Sequence, residues 1–137
     1  MQTDTLLGTI LPEQEPLKLL DRLTAGLPAA TLRQFKRAAR LADSEVAAML
    51  QVSDRTLSRL KTARARLSGD LSDRLYAVAS IYALADTVLG GADKVRVWLV
   101  EPQHGLGGKK PQELLGTELG RNQVRSLLKR IEHGFLA

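Results

Sequence analysis

A chain of 137 residues with 44% hydrophobic content and a net charge of +5 is long enough for one compact domain or two small ones on a common core, which excludes wholesale disorder. The absence of cysteine excludes disulfides and thiolate metal sites, and an aromatic content of 4% favours helices over a β-sandwich or barrel. No apolar run approaches the ~18 residues of a membrane span, and the acidic start MQTDTLLGTILPEQEP lacks the positive leader of a signal peptide, so a soluble, cytoplasmic protein is expected.

In chain order, PLKLLDRLTAG places Leu17, Leu20 and Leu23 at three-residue spacing, with Gly26 as a stop. Pro28 opens PAATLRQFKRAARLA, in which Leu32, Phe35 and Ala39 share a face and the basic residues lie mostly elsewhere. A short helix through Val46, Ala47 and Leu50 follows, then the turn QVS and a second short helix. SDRLYAVASIYALADTVLGG is the longest candidate, with Leu75, Val78, Ala79, Tyr82 and Ala85 on one stripe, Ser72 as N-cap and Gly90–Gly91 as stop. ADKVRVWLV is a short helix with Val95, Trp98 and Leu99 on one side; its VRVWLV is too short and isolated to build a sheet. GRNQVRSLLKRIEHG puts Val124, Leu127, Leu128 and Ile131 on one stripe and ends at Gly134. The fold expected is all-α.

Charge is concentrated. Residues 31–66 carry nine Lys/Arg (Arg33, Lys36, Arg37, Arg40, Arg55, Arg59, Lys61, Arg64, Arg66) against Asp43, Glu45 and Asp54, leaving the other 101 residues at a net −1. A basic block in one quarter of the chain is a footprint of nucleic-acid binding, although a solvated helix face has the same composition. Within that block, DSEVAAMLQVSDRTLSRLK (43–61) reads as a helix-turn-helix. Ala47 is small where two helices cross, Val52 fills the space between them, Ser53 caps the second helix, and Leu57 and Leu60 dock it on the first. Ser53, Arg55, Thr56, Arg59 and Lys61 are then the candidate DNA contacts, because the N-terminal residues of a recognition helix meet base edges in the major groove. Arg pairs bidentately with guanine, while hydroxyls and helix N–H groups take phosphates. A plain pair of packed helices would share the pattern, but an interior helix would not expose Arg55 and Arg59.

The glycine-rich stretch HGLGGKKPQELLGT (104–117) is not a phosphate loop. A P-loop needs Gly, four residues, then Gly-Lys-Ser/Thr; here Gly108-Lys109 is followed by Lys110, Gln103 stands where the first Gly belongs, and no strand precedes it. The two histidines, His104 and His133, lie 29 residues apart and no carboxylate pair has catalytic spacing, so no enzyme, cofactor or metal site is expected. The stretch reads as a rigid knuckle. Pro102 blocks the preceding helix, Gly105, Gly107 and Gly108 permit positive φ, Pro111 opens a short turn, Leu114 and Leu115 pack inward, Gly116 stops that turn and Thr117 can cap the last helix.

Taken together, VWLVEPQHGLGGKKPQELLGTELGRNQVRSLLKRIEHG resembles the C-terminal toxin-binding domain of the Xre/MbcA/ParS-type antitoxins. Trp98, Leu99, Pro102, Leu106, Gly107, Gly108, Pro111, Leu114, Leu115, Thr117, Gly120, Val124, Leu128, Arg130, Ile131 and Gly134 match its pattern, while His104 stands where an Asn-like residue is frequent. LQVSDRTLSRLK and SDRLYAVASIYALA are similar to the family's helix-turn-helix half. The resemblance implies three segments: a variable N-terminal segment with a short helix (1–28), the DNA-binding region (29–70) and the toxin-binding domain (71–137). It implies an antitoxin against a RES-domain toxin that depletes NAD, with Arg125, Lys129, Glu132, His133, Gly134, Phe135, Leu136 and Ala137 toward the toxin and the chain end occluding its active site. It also implies a homodimer that binds the operator of its own operon, with no small-molecule substrate and no membrane. A stand-alone transcription regulator and a localisation adaptor remain alternatives that share these domains.

Overall fold

The computed structural model describes residues 15–134. Among these residues seven α-helices succeed one another: α1 (Pro16–Ala25), α2 (Ala29–Ala39), α3 (Asp43–Leu50), α4 (Asp54–Thr62), α5 (Gly69–Leu89), α6 (Ala92–Val100) and α7 (Glu118–Glu132). Two 3₁₀ turns, His104–Leu106 and Pro111–Leu114, lie between α6 and α7. Among the described residues there is no strand, only isolated bridges at Pro28–Arg66 and Gln103–Lys109. The all-α expectation therefore holds.

The long helix α5 is the centre of the molecule. It packs against α1, α2 and α3 on one side of the chain and against α6 and α7 on the other. Leu75, Val78, Ala79, Ile81 and Ala85 on it are completely buried. Phe35 of α2 meets the Tyr82 ring edge-on, with centroids 5.3 Å apart and planes at 88°, and the Tyr82 hydroxyl donates to Met49 Sδ of α3 at 3.9 Å. No single helix among the described residues is long and apolar enough to cross a membrane; the α5–α6 pair is bent by 112°.

Several sequence expectations need correction. In α1 only Leu23 of the three leucines is buried; Leu17 and Leu20 are 71% and 57% exposed. The helix instead turns Leu19 and Leu23, four residues apart, toward the core, because a 3–3 series drifts around a 3.6-residue helix. Ser72 is not the cap of α5. Ser68 is: its Oγ accepts the Leu71 N–H at 3.1 Å, while Ser72 sits one turn inside, wholly buried, accepting the Leu27 N–H at 2.8 Å. Trp98, expected to be buried at the junction of the knuckle and the last helix, is half-buried, packed on the edge of the core beside the buried Val95 and Leu99. Trp98→Ala is accordingly expected to cost about 1–3 kcal/mol in an unfolding titration, below the ~3–5 kcal/mol of a fully enclosed ring.

The knuckle is closed by backbone hydrogen bonds from Gln103 N–H to Lys109 O (3.1 Å) and from Gly108 N–H to Gln103 O (2.9 Å). The left-handed positions that this needs fall on Gly107 (φ 66°) and Gly108 (φ 84°); Gly105 lies inside the first 3₁₀ turn and is not one of them. Pro102 comes just after the last residues of α6, Pro111 is buried at the first position of the second 3₁₀ turn, and Leu106 and Leu115 enter the core. Thr117 caps α7, its Oγ1 accepting the Gly120 N–H at 3.0 Å.

Candidate nucleic-acid and partner interfaces

The helix-turn-helix is built as the sequence implies. Val46, Ala47, Leu50 and Leu57 are buried, Val52 and Leu60 pack against them, and the Val52 N–H returns to Ala47 O across the turn. Gln51 supplies the left-handed residue that ends α3 (φ 58°). Arg74, from α5, donates to Leu50 O at 2.6 Å and so satisfies a carbonyl at the same helix end.

At the start of α4, Ser53 Oγ accepts the Thr56 N–H and donates to Thr56 Oγ1, both at 3.0 Å. Ser53, Arg55 and Arg59 are exposed and Thr56 is half-buried. Neither Arg55 nor Arg59 has an ion pair among the described residues. Lys61 differs from them. It is half-buried, its Nζ lies 2.5 Å from Asp43 Oδ2, and its carbonyl accepts from Arg33 Nη1 at 2.7 Å. Lys36 Nζ reaches the other Asp43 oxygen at 3.4 Å. The hydrogen bond from Lys61, aided by Lys36, holds the Asp43 carboxyl below the usual carboxylate range.

The front and back halves of the chain meet at α3. Gln112, in the second 3₁₀ turn, donates to Glu45 Oε2 at 2.7 Å, and Glu45 Oε1 in turn accepts the Ala42 N–H that opens α3. Gly116 sits against the last turn of α3, where a Cβ would lie 3.1 Å from Ala48 O and collide with the Gln51 amide. Arg40, the left-handed residue after α2 (φ 56°), reaches Asp93 at the start of α6 at 2.9 Å.

On α7, Gly120, Val124, Leu127 and Leu128 are buried. Lys129, Glu132, His133 and Gly134 are exposed; Arg125 is half-buried with its guanidinium on Asn122 Oδ1. Phe135, Leu136 and Ala137 lie outside the described residues. Val97 and Val100, three residues apart on α6, leave 50% and 41% of their surface exposed, a small apolar strip that the sequence pattern conceals because both belong to the same run as the buried Val95 and Leu99.

Residues 18–80 match the family model of the antitoxin Xre-like helix-turn-helix domain, and residues 84–134 that of the antitoxin Xre/MbcA/ParS C-terminal toxin-binding domain. The chain belongs to the Xre antitoxin family. It is 39% identical over 69 residues to an antitoxin Xre of Pseudomonas putida, an alignment covering 50% of this chain and 43% of that protein. It is 28% identical to the antitoxin Xre of Yersinia enterocolitica, over 90% of this chain and 84% of the relative, and 28% identical to that of Photorhabdus laumondii, over 84% and 78%. Membership in this antitoxin family makes the chain a regulatory binding protein and not an enzyme. The two Xre matches meet between residues 80 and 84, inside α5. The division read from the sequence at 70/71 lies in the first turn of that same helix.

Proposed function

We propose that this Xre-type chain is the antitoxin of a RES-domain toxin that depletes NAD, neutralising it by direct binding with its C-terminus in the toxin's active site. In the cytoplasm, as a homodimer, it represses its own operon through α4. The observation that carries this reading is the presence of both antitoxin domains in one chain, packed on a common helix. Exposed Arg55 and Arg59 on α4 supply base-reading donors, Ser53 and Thr56 hydroxyls stand at its start, and the exposed end of α7 with Lys129, Glu132 and His133 supplies a polar rim for a partner. The test is co-expression with a RES-domain toxin, taken from the reading frame beside this gene where that frame encodes one, reading growth and cellular NAD. No protection by the full-length chain overturns the proposal.

Two variants separate its parts. Arg55→Ala or Arg59→Ala is expected to cost about 1–3 kcal/mol on the operator and little on unrelated duplex, provided that the side chain reads a base edge. A binding titration on both DNAs checks this. Deletion of Phe135–Ala137 is expected to leave the melting temperature and operator binding unchanged while NAD depletion returns. Full protection by the shortened chain would instead place inhibition on the α7 surface.

A further inference from the structure

Three cations of α2, Arg33, Lys36 and Arg37, lie at the spacing i, i+3, i+4, and Arg40, the left-handed residue just after the helix, follows them with its guanidinium paired to Asp93. Together they form one basic stripe beside the Leu32 and Phe35 that enter the core. Together with Lys61 and Thr62 at the end of α4, and with Leu41, this stripe lines an open groove. The only acid within ion-pair distance of Lys36 and Lys61 among the described residues is Asp43, the first residue of α3, which presents one oxygen to each. Arg37 is exposed and has no ion pair among the described residues. None of the α2 residues belongs to the recognition helix.

We infer that this groove binds the phosphate backbone of duplex DNA beside the recognition helix, and that Asp43 occupies the Lys36–Lys61 pair as an internal substitute for a phosphate. The inference rests on the DNA-binding reading above and extends it to α2. Position argues for it. The first helix of a helix-turn-helix crosses the backbone, and the groove adjoins the start of that helix, α3, and the end of the recognition helix. Chemistry argues for it as well. Lys36 and Lys61 already hold a two-oxygen anion from two sides, which suits the anionic oxygens of a phosphate diester. The lining has no aromatic ring on which an unpaired base could stack, and a single apolar residue, Leu41, which disfavours single-stranded RNA and an apolar-anchored peptide. In the free protein Lys36 and Lys61 share the single Asp43 charge, which offsets one of the two cations, so binding exchanges a carboxylate for a phosphate and is weaker than the number of cations implies.

The test is a titration of the full chain with a duplex from upstream of its own gene and with a scrambled duplex, each at several salt concentrations. Arg37→Ala is expected to weaken both duplexes by the same factor and to lower the slope of log K against log salt by about 0.9 for one lost phosphate contact. Asp43→Asn is expected to tighten both by about fivefold, the effect of removing one repulsive charge at contact distance in a solvated site. If the wild-type chain binds the duplexes while Arg37→Ala leaves affinity and slope untouched, the groove is not a backbone site and the inference falls, with the recognition-helix reading intact. Binding of neither duplex by the wild-type chain overturns both together. Tighter binding of single-stranded RNA of equal length, lost in Arg37→Ala, overturns the duplex assignment. Arg37 is exposed and has no ion pair among the described residues, so its variant decides the matter even if Asp43→Asn fails to fold.

Discussion

Replacing Phe35 by alanine is expected to destabilise the chain by about 3–5 kcal/mol, the cost of removing a fully enclosed aromatic ring from a core that cannot collapse around the gap. Phe35 is 1% exposed, and its edge-on contact with Tyr82 ties α2 to α5. Aromatic pairs in this geometry contribute about 0.5–1.5 kcal/mol beyond their buried area, so the loss belongs at the upper part of the range. Thermal melting should fall by at least about 10 °C for a domain of this size. Phe35→Leu, which keeps most of the volume and loses the ring contact, should cost under half as much. Equal melting of the wild type and Phe35→Ala would mean that α2 is not held by this contact. That would also undo the placement of its basic stripe.

The second large effect is expected at Gly120. This residue is buried in the first turn of α7, where a Cβ would run into the carbonyl of Leu114 and come within 3.0 Å of Thr117 Oγ1. The obstacle is backbone, not the end of a flexible side chain, so the helix or the 3₁₀ turn must move as a whole. Gly120→Ala gains helix propensity of up to about 1 kcal/mol, yet the overpacking should outweigh it and leave a net loss of about 2–3 kcal/mol. The displaced turn carries Gln112, which is bound to Glu45 of α3, so the damage should spread to the helix-turn-helix. Hydrogen exchange at α3 and α7 measures it: protection should fall in both. A variant as stable as the wild type would show that the two backbones separate at little cost.

How much of the fold is legible in the chain depends on the range of the interactions. Local periodicity is enough for α2, α5 and α7, because residues such as Leu32, Phe35, Val78 and Leu128 repeat at the helical period and are buried. The caps at Ser53 and Thr117 are also local, each bonded three residues on. Ser72 misleads because Ser68 and Ser72 both precede the apolar stripe; only the Leu27 N–H, 45 residues away, distinguishes a buried acceptor from a cap. Leu17 and Leu20 mislead because three-residue spacing fits a helix face without saying which face the fold covers. At the candidate DNA site, Arg55 and Arg59 are exposed as expected, since a helix docked through Leu57 and Leu60 leaves them on its outer side. The Lys61–Asp43 pair, 18 residues apart, and the alignment of the α2 cations with the end of α4 depend on how helices cross, which periodicity does not contain.

The sharing of α5 has a bearing on turnover. Because α1, α2 and α3 close on the same helix as α6 and α7, the two halves have no linker between them at which one could be shed while the other stays folded. A gene truncated near residue 80 would yield a fragment whose longest helix has lost α6 and α7 as cover, and a single protease cut within α5 would dismantle both halves in one event. Loss of the helix-turn-helix and loss of the partner-binding end are therefore tied to one clock, set by how often α5 opens.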